Sequence, residues 1–230
     1  DVELQLFRLL RAKRVDGMLI YPAQEDDRYI DELCHISIPF VFLNRHTDAL
    51  QSDYVINDNI HGTCSAVSEL IQRGYKQITY VCAKPMASSG KERIKGCRKA
   101  VKQHGLPAEN LTILTCEETI PSCYDLVKRT IRDTTHHMDA LFLWDDKLAI
   151  GAIKALLEEG IQIPEEVAVV GYDDIEIAEF MYPSLTTVRQ PTYQIGQTAT
   201  RILLDKLESK EELDLQQVIL KPELIVRDTT

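Results

Sequence analysis

The chain has 230 residues, of which 44% are hydrophobic and 27% charged, and its formal net charge is −10. These values are typical of an ordinary globular protein with one or two domains. The acidic excess would repel nucleic acid phosphates, so we expect no DNA contact from this chain by itself. We find neither an export signal nor an apolar run near eighteen residues, and we therefore expect a cytoplasmic protein without membrane contact.

The cysteines indicate a reducing compartment. They are spread along the chain without C-x-x-C spacing, and several fall on apolar faces or in strand-like runs. We therefore expect reduced thiols, several of them in the core. The six cysteines are Cys34, Cys64, Cys82, Cys97, Cys116 and Cys123.

The chain opens with an amphipathic pattern, because Val2, Leu6, Leu9 and Leu10 recur at helical spacing. Up to residue 57 the predicted elements are short. They are a helix over 1–14, a strand over 17–21, a helix over 26–35, and strands over 40–43 and 54–57.

From residue 60 the elements alternate regularly, which implies a parallel sheet covered by helices on both sides. The predicted helices are 60–73, 122–132 and 147–159. One further helix follows a loop at 85–90 and ends at residue 104. The predicted strands are 77–82, 111–115, 140–144 and 167–171.

After Pro183 the rhythm changes. A short extended segment over 186–188 precedes a long helix over 194–208, and two short strands follow at 218–220 and 223–226. This order suits a chain that crosses between two lobes and crosses back.

Two of the apolar strands end in paired carboxylates: Asp145 and Asp146 follow one, Asp173 and Asp174 the other. Ligands of open α/β sheets bind beyond the carboxyl ends of the strands. Like charges there would raise one another's pKa unless they meet cations or hydroxyl donors, which a polyhydroxylated or cationic ligand would supply. The alternative is that these residues cap helices, a role that suits Asp146 and Asp174 better than the other two.

Arg93 is the most informative cation. It shares a predicted helix face with Cys97 and Ala100, in the first turn after a loop at 87–90. The helix macrodipole opposes a cation there by roughly 0.3–1 kcal/mol, which is tolerable if carboxylates or ligand oxygens face it. Arg93 is therefore predicted to bridge the aspartates and a ligand; a plain structural salt bridge is the alternative.

Several motifs of catalysis and cofactor binding are absent from the sequence. No G-x-G-x-x-G follows a strand, Gly90-Lys91 lacks the rest of a phosphate loop, and there is no G-x-S-x-G. His136 and His137 are adjacent and would not face one another, so a metal site is not predicted. We expect no cofactor, no catalytic residues and no enzyme activity.

Three longer segments resemble the lactose-repressor/galactose-repressor (LacI/GalR) family of transcriptional regulators. Residues 142–152 resemble its "A-N-D-x-M-A-x-G-A", 169–175 its "V-V-G-[FY]-D-D-I", and 183–191 its "P-P-L-T-T-V-x-Q-P". Shorter matches occur in the same order at 14–17, 57–59, 93–96 and 222–227.

The resemblance implies a periplasmic-binding-protein type I-like α/β fold, with two similar parallel-sheet lobes, three crossovers and a ligand cleft between the lobes. The N-terminal lobe would be 1–57 plus 190–221 and would lack its first strands. The C-terminal lobe would be 58–189 plus 222–230. The family's helix-turn-helix headpiece is absent from this chain, so operator DNA would be bound only through that missing segment.

The resemblance also implies site residues. Arg93 and Asp173 match the family's effector-holding arginine and aspartate, and Gln190 is a further expected contact. Asp145 stands where the family has an asparagine, which removes a donor and adds negative charge. Glu118 stands where members often have an aromatic residue that stacks on the ligand.

The implied function is the ligand-sensing and dimerisation domain of a repressor-type regulator, in which a small-molecule effector, expected to be a sugar, is coupled allosterically to operator binding. The apolar residues within 179–182 are expected to be exposed near a family interface segment; alternatively, Phe180 and Met181 pack under the following loop. The rival function is a sugar-binding protein of a transport system, and an enzyme on a doubly wound sheet is a more distant one.

Overall fold

A computed structural model describes residues 2–22, 32–33, 38–47, 49–84, 88–133, 137–209, 211 and 213–230. The chain forms two compact units. Unit 1 comprises Asp1–Asn57 and Pro191–Leu220, and unit 2 comprises Asp58–Gln190 and Lys221–Thr230.

The helices and strands follow the predicted alternation, with bounds that differ by a few residues. The strands are β1 (Met18–Ile20), β2 (Phe40–Leu43), β3 (Asp53–Asn57), β4 (Ile78–Lys84), β5 (Leu111–Glu117), β6 (Ala140–Leu143), β7 (Ala168–Tyr172), β8 (Thr186–Arg189), β9 (Gln217–Leu220) and β10 (Glu223–Ile225). The helices are α1 (Val2–Ala12), α2 (Asn59–Gln72), α3 (Ser88–Gln103), α4 (Ile120–Arg132), α5 (Asp146–Glu158), α6 (Ile177–Phe180) and α7 (Thr192–Glu208). The helix predicted over 26–35 lies largely outside the described residues.

Unit 1 is built on a parallel four-stranded sheet in the order β1-β2-β3-β9. Side chains alternate across a strand, so neighbouring residues of β2 pack in different clusters: Phe42 with Phe7 of α1, and Val41 with Ile202 of α7. The apolar pattern of α1 is only partly buried, because Leu6 and Leu9 are exposed.

Unit 2 contains a six-stranded sheet in the order β10-β8-β7-β6-β4-β5, in which only the β10–β8 pairing is antiparallel. The strands β6 and β7 are fully buried neighbours, with Phe142 opposite Val170. Their burial explains the uninterrupted apolar runs in the sequence. Mixed α/β architecture with parallel sheets is thus confirmed.

Glycine allows the helices of unit 2 to approach closely. A β-carbon at Gly96 of α3 would lie 2.7 Å from the Ile60 carbonyl oxygen of α2. A β-carbon at Gly151 of α5 would lie 2.5 Å from the Ile120 carbonyl oxygen of α4. These distances are too short for a side chain, so both helix pairs depend on glycine at the contact.

The structure corrects the predicted start of α3. The sequence predicts a loop through residue 90, but the helix begins at Ser88 and Gly90 lies in its first turn. Arg93 therefore lies in the second turn, where the macrodipole opposes a cation less than it does at the first residues.

The cysteines that the structure describes are free and buried: Cys64, Cys82, Cys97, Cys116 and Cys123. Their burial confirms the expectation of thiols in the core, whereas Cys34 lies outside the described residues. Among the described helices, none has both the length and the apolar character that a membrane crossing requires.

Candidate ligand-binding site

The carboxyl ends of β6 and β7 bring the two aspartate pairs to the same edge of the sheet in unit 2, because these strands are parallel neighbours. The four carboxylates nevertheless have different surroundings. One caps a helix, one is fully buried, one forms ion pairs and one faces a glutamine.

Asp145 is the N-cap of α5, and its Oδ1 accepts a hydrogen bond of 2.7 Å from the Leu148 N–H. Burial raises the pKa of this carboxyl group, while the backbone hydrogen bonds and the charges of Lys147 and Arg93 oppose the rise. Asp145 is therefore a helix cap, although the sequence favours that role for Asp146 and Asp174.

Asp146 is not a cap. Its side chain is fully buried, and it accepts hydrogen bonds from the Thr187 hydroxyl (2.6 Å) and the Ile175 N–H (2.8 Å). Burial is the main cause that raises its pKa to about 7, and the negative charges of Asp173 and Asp174 add to the effect.

Asp174 is not a cap either, because its carboxylate pairs with two arginines. Arg189 Nε lies 2.6 Å from one oxygen and Arg227 Nη2 lies 2.8 Å from the other. Asp174 is thus bound to β8 and to the segment after β10.

Asp173 and Gln190, which the resemblance gives as two separate ligand contacts, are hydrogen-bonded to one another. Gln190 Nε2 donates a hydrogen bond of 2.5 Å to Asp173 Oδ1. Burial raises the pKa of Asp173, the positive charge of Arg93 opposes this, and the charges of Asp145 and the exposed Glu118 reinforce it. Asp173 is therefore a carboxylate close to other negative charges, and among the described residues it accepts a side-chain hydrogen bond from Gln190.

Arg93 is 5% exposed, and its described hydrogen bonds go to neutral acceptors. Nε donates to Asn59 Oδ1 at 3.2 Å, and Nη1 donates to the Trp144 carbonyl oxygen. The guanidinium carbon lies 3.5 Å from the centre of the Tyr172 ring. Within the described residues no carboxylate forms an ion pair with Arg93, so a plain structural salt bridge is not the arrangement found.

The charge of Arg93 is nevertheless favoured where it lies. Burial works to lower its pKa, but the fields of Tyr172, Tyr80, Asp173 and Asp145 outweigh burial, and the net pKa is raised. A guanidinium has five N–H donors, and the hydrogen bonds seen in the described part of the chain involve Nε and Nη1. The remaining nitrogen can serve an acceptor that comes from outside the chain.

Asn59 is a member of this site that the sequence interpretation does not single out. Its Oδ1 accepts from Arg93 and, at 3.4 Å, from the Tyr172 hydroxyl, while its Nδ2 donates to Glu92 at 2.8 Å. Asn59 thus orients the guanidinium. The sequence does contain a sign that Asn59 matters, because residues 57–59 belong to the segments that resemble the family.

Metal binding finds no support in the described residues, where no group of three or more His, Cys, Asp or Glu side chains could hold an ion. His136, one member of the histidine pair considered above, lies outside those residues.

Comparisons with known proteins define the class of this fold. A family model described as a periplasmic binding protein-like domain matches residues 67–230. Among curated proteins, the HTH-type transcriptional repressor PurR of Vibrio vulnificus is 32% identical over 227 residues, covering 96% of this chain and 66% of the relative. PurR of Haemophilus influenzae is 31% identical over 223 residues, with 95% and 66% covered. The chain therefore spans about two thirds of the length of these relatives.

Solved structures agree. A cellobiose complex of the transcriptional regulator CelR has a TM-score of 0.90 at 30% identity, and covers 99% of this chain and 70% of that one. A LacI-family regulator from Enterococcus faecium with bound ribose has a TM-score of 0.88 at 26% identity, covering 99% and 84%. A LacI-family sugar-binding regulator from Escherichia coli, complexed with phosphate, has a TM-score of 0.86 at 30% identity, covering 98% and 81%.

The chain belongs to the LacI family of transcriptional regulators and has the family's periplasmic-binding-protein-like domain. The resemblance noted from the sequence motifs is confirmed. Because these relatives are regulators, they favour a ligand-sensing regulator over the transport alternative and over an enzyme.

Proposed function

We propose that the protein is the effector-sensing domain of a LacI-family regulator and binds a small molecule at the carboxyl-end edge of the sheet in unit 2. The observation that carries this proposal is the environment of Arg93. A deeply buried cation that lies in the field of two carboxylates without pairing with either suits a ligand that has both donors and acceptors.

Each site residue has a proposed role that follows from its present contacts. Arg93 donates to ligand oxygens from the nitrogen that its two hydrogen bonds leave available. Asp173 accepts from ligand donors, and Gln190 holds it in place. Asp145 accepts with the oxygen that does not cap Leu148.

The proposed ligand is a sugar or sugar derivative, because vicinal hydroxyl groups can donate to aspartates and accept from an arginine at the same time. Bound ribose and cellobiose in neighbouring structures support this class of ligand. The negative field of Asp145, Asp173 and Glu118 disfavours an anionic ligand at this edge.

The remaining proposals concern the whole protein, a cytoplasmic homodimer that binds operator DNA through a helix-turn-helix headpiece. Unit 1 would be the N-terminal lobe and unit 2 the C-terminal lobe.

Phe180 is 72% and Tyr182 95% exposed, which supports a self-association face in unit 2 and contradicts burial of Phe180 under the next loop. Met181 does pack against the core. The ligand would act by its different affinity for two conformations of the dimer.

A ligand panel tests the proposal. Thermal unfolding would be followed with D-ribose, D-cellobiose, polyols, nucleosides and amino acids, and a ligand at about one hundred times its Kd should stabilise by roughly 2.7 kcal/mol. Asp173→Ala should abolish that shift while unfolding stays cooperative. Asp125→Asn, a change at an exposed position of α4, should leave the shift unaltered. An undiminished shift in D173A would remove Asp173 from the site, and a panel without any sugar response would contradict the proposed ligand class.

A further inference from the structure

One buried carboxylate connects three parts of unit 2. Asp146 is the first residue of α5, its Oδ1 accepts from the Thr187 hydroxyl of β8, and its Oδ2 accepts from the Ile175 N–H, just beyond β7. Ile175 directly follows the dipeptide Asp173-Asp174, and Thr187 is the sheet partner of Gly171, two positions before it. The dipeptide includes the carboxylate proposed to bind the ligand.

That dipeptide has an uncommon backbone conformation. The φ angles are +105° at Asp173 and +54° at Asp174, a region that residues with a β-carbon rarely adopt. Such a conformation persists only where the surroundings over-determine it. The Asp173 N–H donates to the Val188 carbonyl oxygen at 2.8 Å, and the Asp174 N–H lies 3.3 Å from the Thr187 hydroxyl oxygen.

Gly171 provides the space for the Asp146 carboxylate. A β-carbon at Gly171 would overlap with Asp146 Oδ1 and would lie 3.0 Å from Leu185 Cδ2. Gly171 does not have a positive φ angle, so the structure requires glycine there for room and not for backbone freedom. The glycine before the second aspartate pair therefore serves a member of the first pair.

We propose that Asp146 is a positioning residue of the ligand site: its carboxylate holds the segment 171–175 so that Asp173 faces Arg93 and Gln190, without touching the ligand itself. The statement that a ligand binds there rests on the function proposed above, whereas the positioning of Asp173 is a property of the free protein.

The energetics agree with a positional role. A carboxylate is costly to bury unless hydrogen bonds compensate, and Asp146 has its bonds to Ile175 and Thr187 as compensation. Like charges from Asp173 and Asp174 face it, and Arg189 and Arg227 neutralise only Asp174. An apolar residue would fill this place at less cost but would leave the Ile175 N–H and the Thr187 hydroxyl without this acceptor.

The test needs no ligand. Amide exchange at Ile175 and the carbon-13 titration of the Asp173 carboxyl group would be measured by NMR in the wild-type protein and in D146A, D146N and D125N. In D146A we expect exchange at Ile175 to accelerate roughly tenfold, the value of one lost hydrogen bond. The Asp173 pKa should fall towards its ordinary range as the side chain gains solvent. D146N keeps one acceptor oxygen and the side-chain shape, so it should restore most of both properties, and D125N should match the wild type.

Two further variants allow the same test if D146A does not fold. G171A should displace the carboxylate by overlap, and T187V removes one of its donors; both should speed exchange at Ile175 and lower the Asp173 pKa. Unchanged exchange and an unchanged Asp173 titration in the folded variants would overturn the proposal. A protein that passes this test but responds to no sugar would refute the proposed ligand and leave the positioning role intact.

Discussion

The two aspartate pairs have the same place in the sequence, directly after neighbouring buried strands, but the corresponding members have different partners. In the first pair, Asp145 at the end of β6 caps a helix and Asp146 is buried beneath the sheet edge. In the second pair, Asp173 faces Gln190 and the field of Arg93, and Asp174 forms the ion pairs.

The path of the backbone explains the difference. Asp145 is extended, with φ −148° and ψ 173°, and a helix of 13 residues begins at the next position. Asp173 and Asp174 both have positive φ, and the four-residue helix α6 begins only at Ile177. An extended residue before a helix turns its side chain to the free N–H groups of the first turn. Two further residues separate Asp174 from α6, and the side chains of Asp173 and Asp174 contact glutamine and arginine instead.

The largest expected effect concerns the pH dependence of stability at Asp146. Its folded pKa, about 7, is raised above the ordinary carboxyl value of 3.8. The folded state therefore binds more protons than the unfolded state between these values, and the free energy of unfolding should fall as pH rises from about 4 to 7. The fall from this group is at most roughly 4 kcal/mol. Urea unfolding of the wild type and D146N across this range should show a flatter profile for D146N.

A D145N protein is the matched comparison for that experiment. Its pH profile should keep most of the wild-type slope, because Asp146 would still titrate. Equal slopes in the wild type and D146N would show that Asp146 ionises in the folded protein as easily as in the unfolded chain.

A smaller loss is expected when the second pair loses its ion-pairing member. Asp174→Ala leaves Arg227, whose side chain is 13% exposed, without its carboxylate. An uncompensated buried charge costs about 3 kcal/mol, measurable by urea unfolding. Arg189→Ala is the control, since Arg189 is about half exposed and its pair should contribute less than about 1 kcal/mol. Equal effects of the two substitutions would contradict a special role for Arg227.

Sequence patterns alone predict the strand and helix alternation of unit 2, because continuous apolar runs and glycine helix ends have direct structural causes. That alternation makes it possible for β6 and β7 to be neighbours, as they are; the hydrogen bond between Gln190 and Asp173 does not follow from it, because Gln190 was expected only from the family resemblance. The start of α3 could not be predicted in this way. Glycine is frequent in loops, but this helix contains Gly90 in its first turn.

The roles of the individual aspartates could not be predicted, because they depend on distant partners. The Asp146 carboxylate meets Thr187, 41 residues away, and Arg93 meets the oxygen of Asn59, 34 residues away. Local patterns suggest capping for any aspartate before a helix. Only the tertiary fold shows that Asp145, and not Asp146, caps α5.

The smallest expected effect separates capping from charge at Asp145. Asp145→Ala removes the acceptor of the Leu148 N–H, and loss of an N-cap costs about 1 kcal/mol. Asparagine caps about as well as aspartate, so Asp145→Asn should lose little stability in urea unfolding while it removes a negative charge from the site. If D145N were as unstable as D145A, the charge and not the cap would stabilise this end of α5. If both variants matched the wild type, the hydrogen bond to Leu148 would contribute nothing, and Asp145 would be available to a ligand through both oxygens.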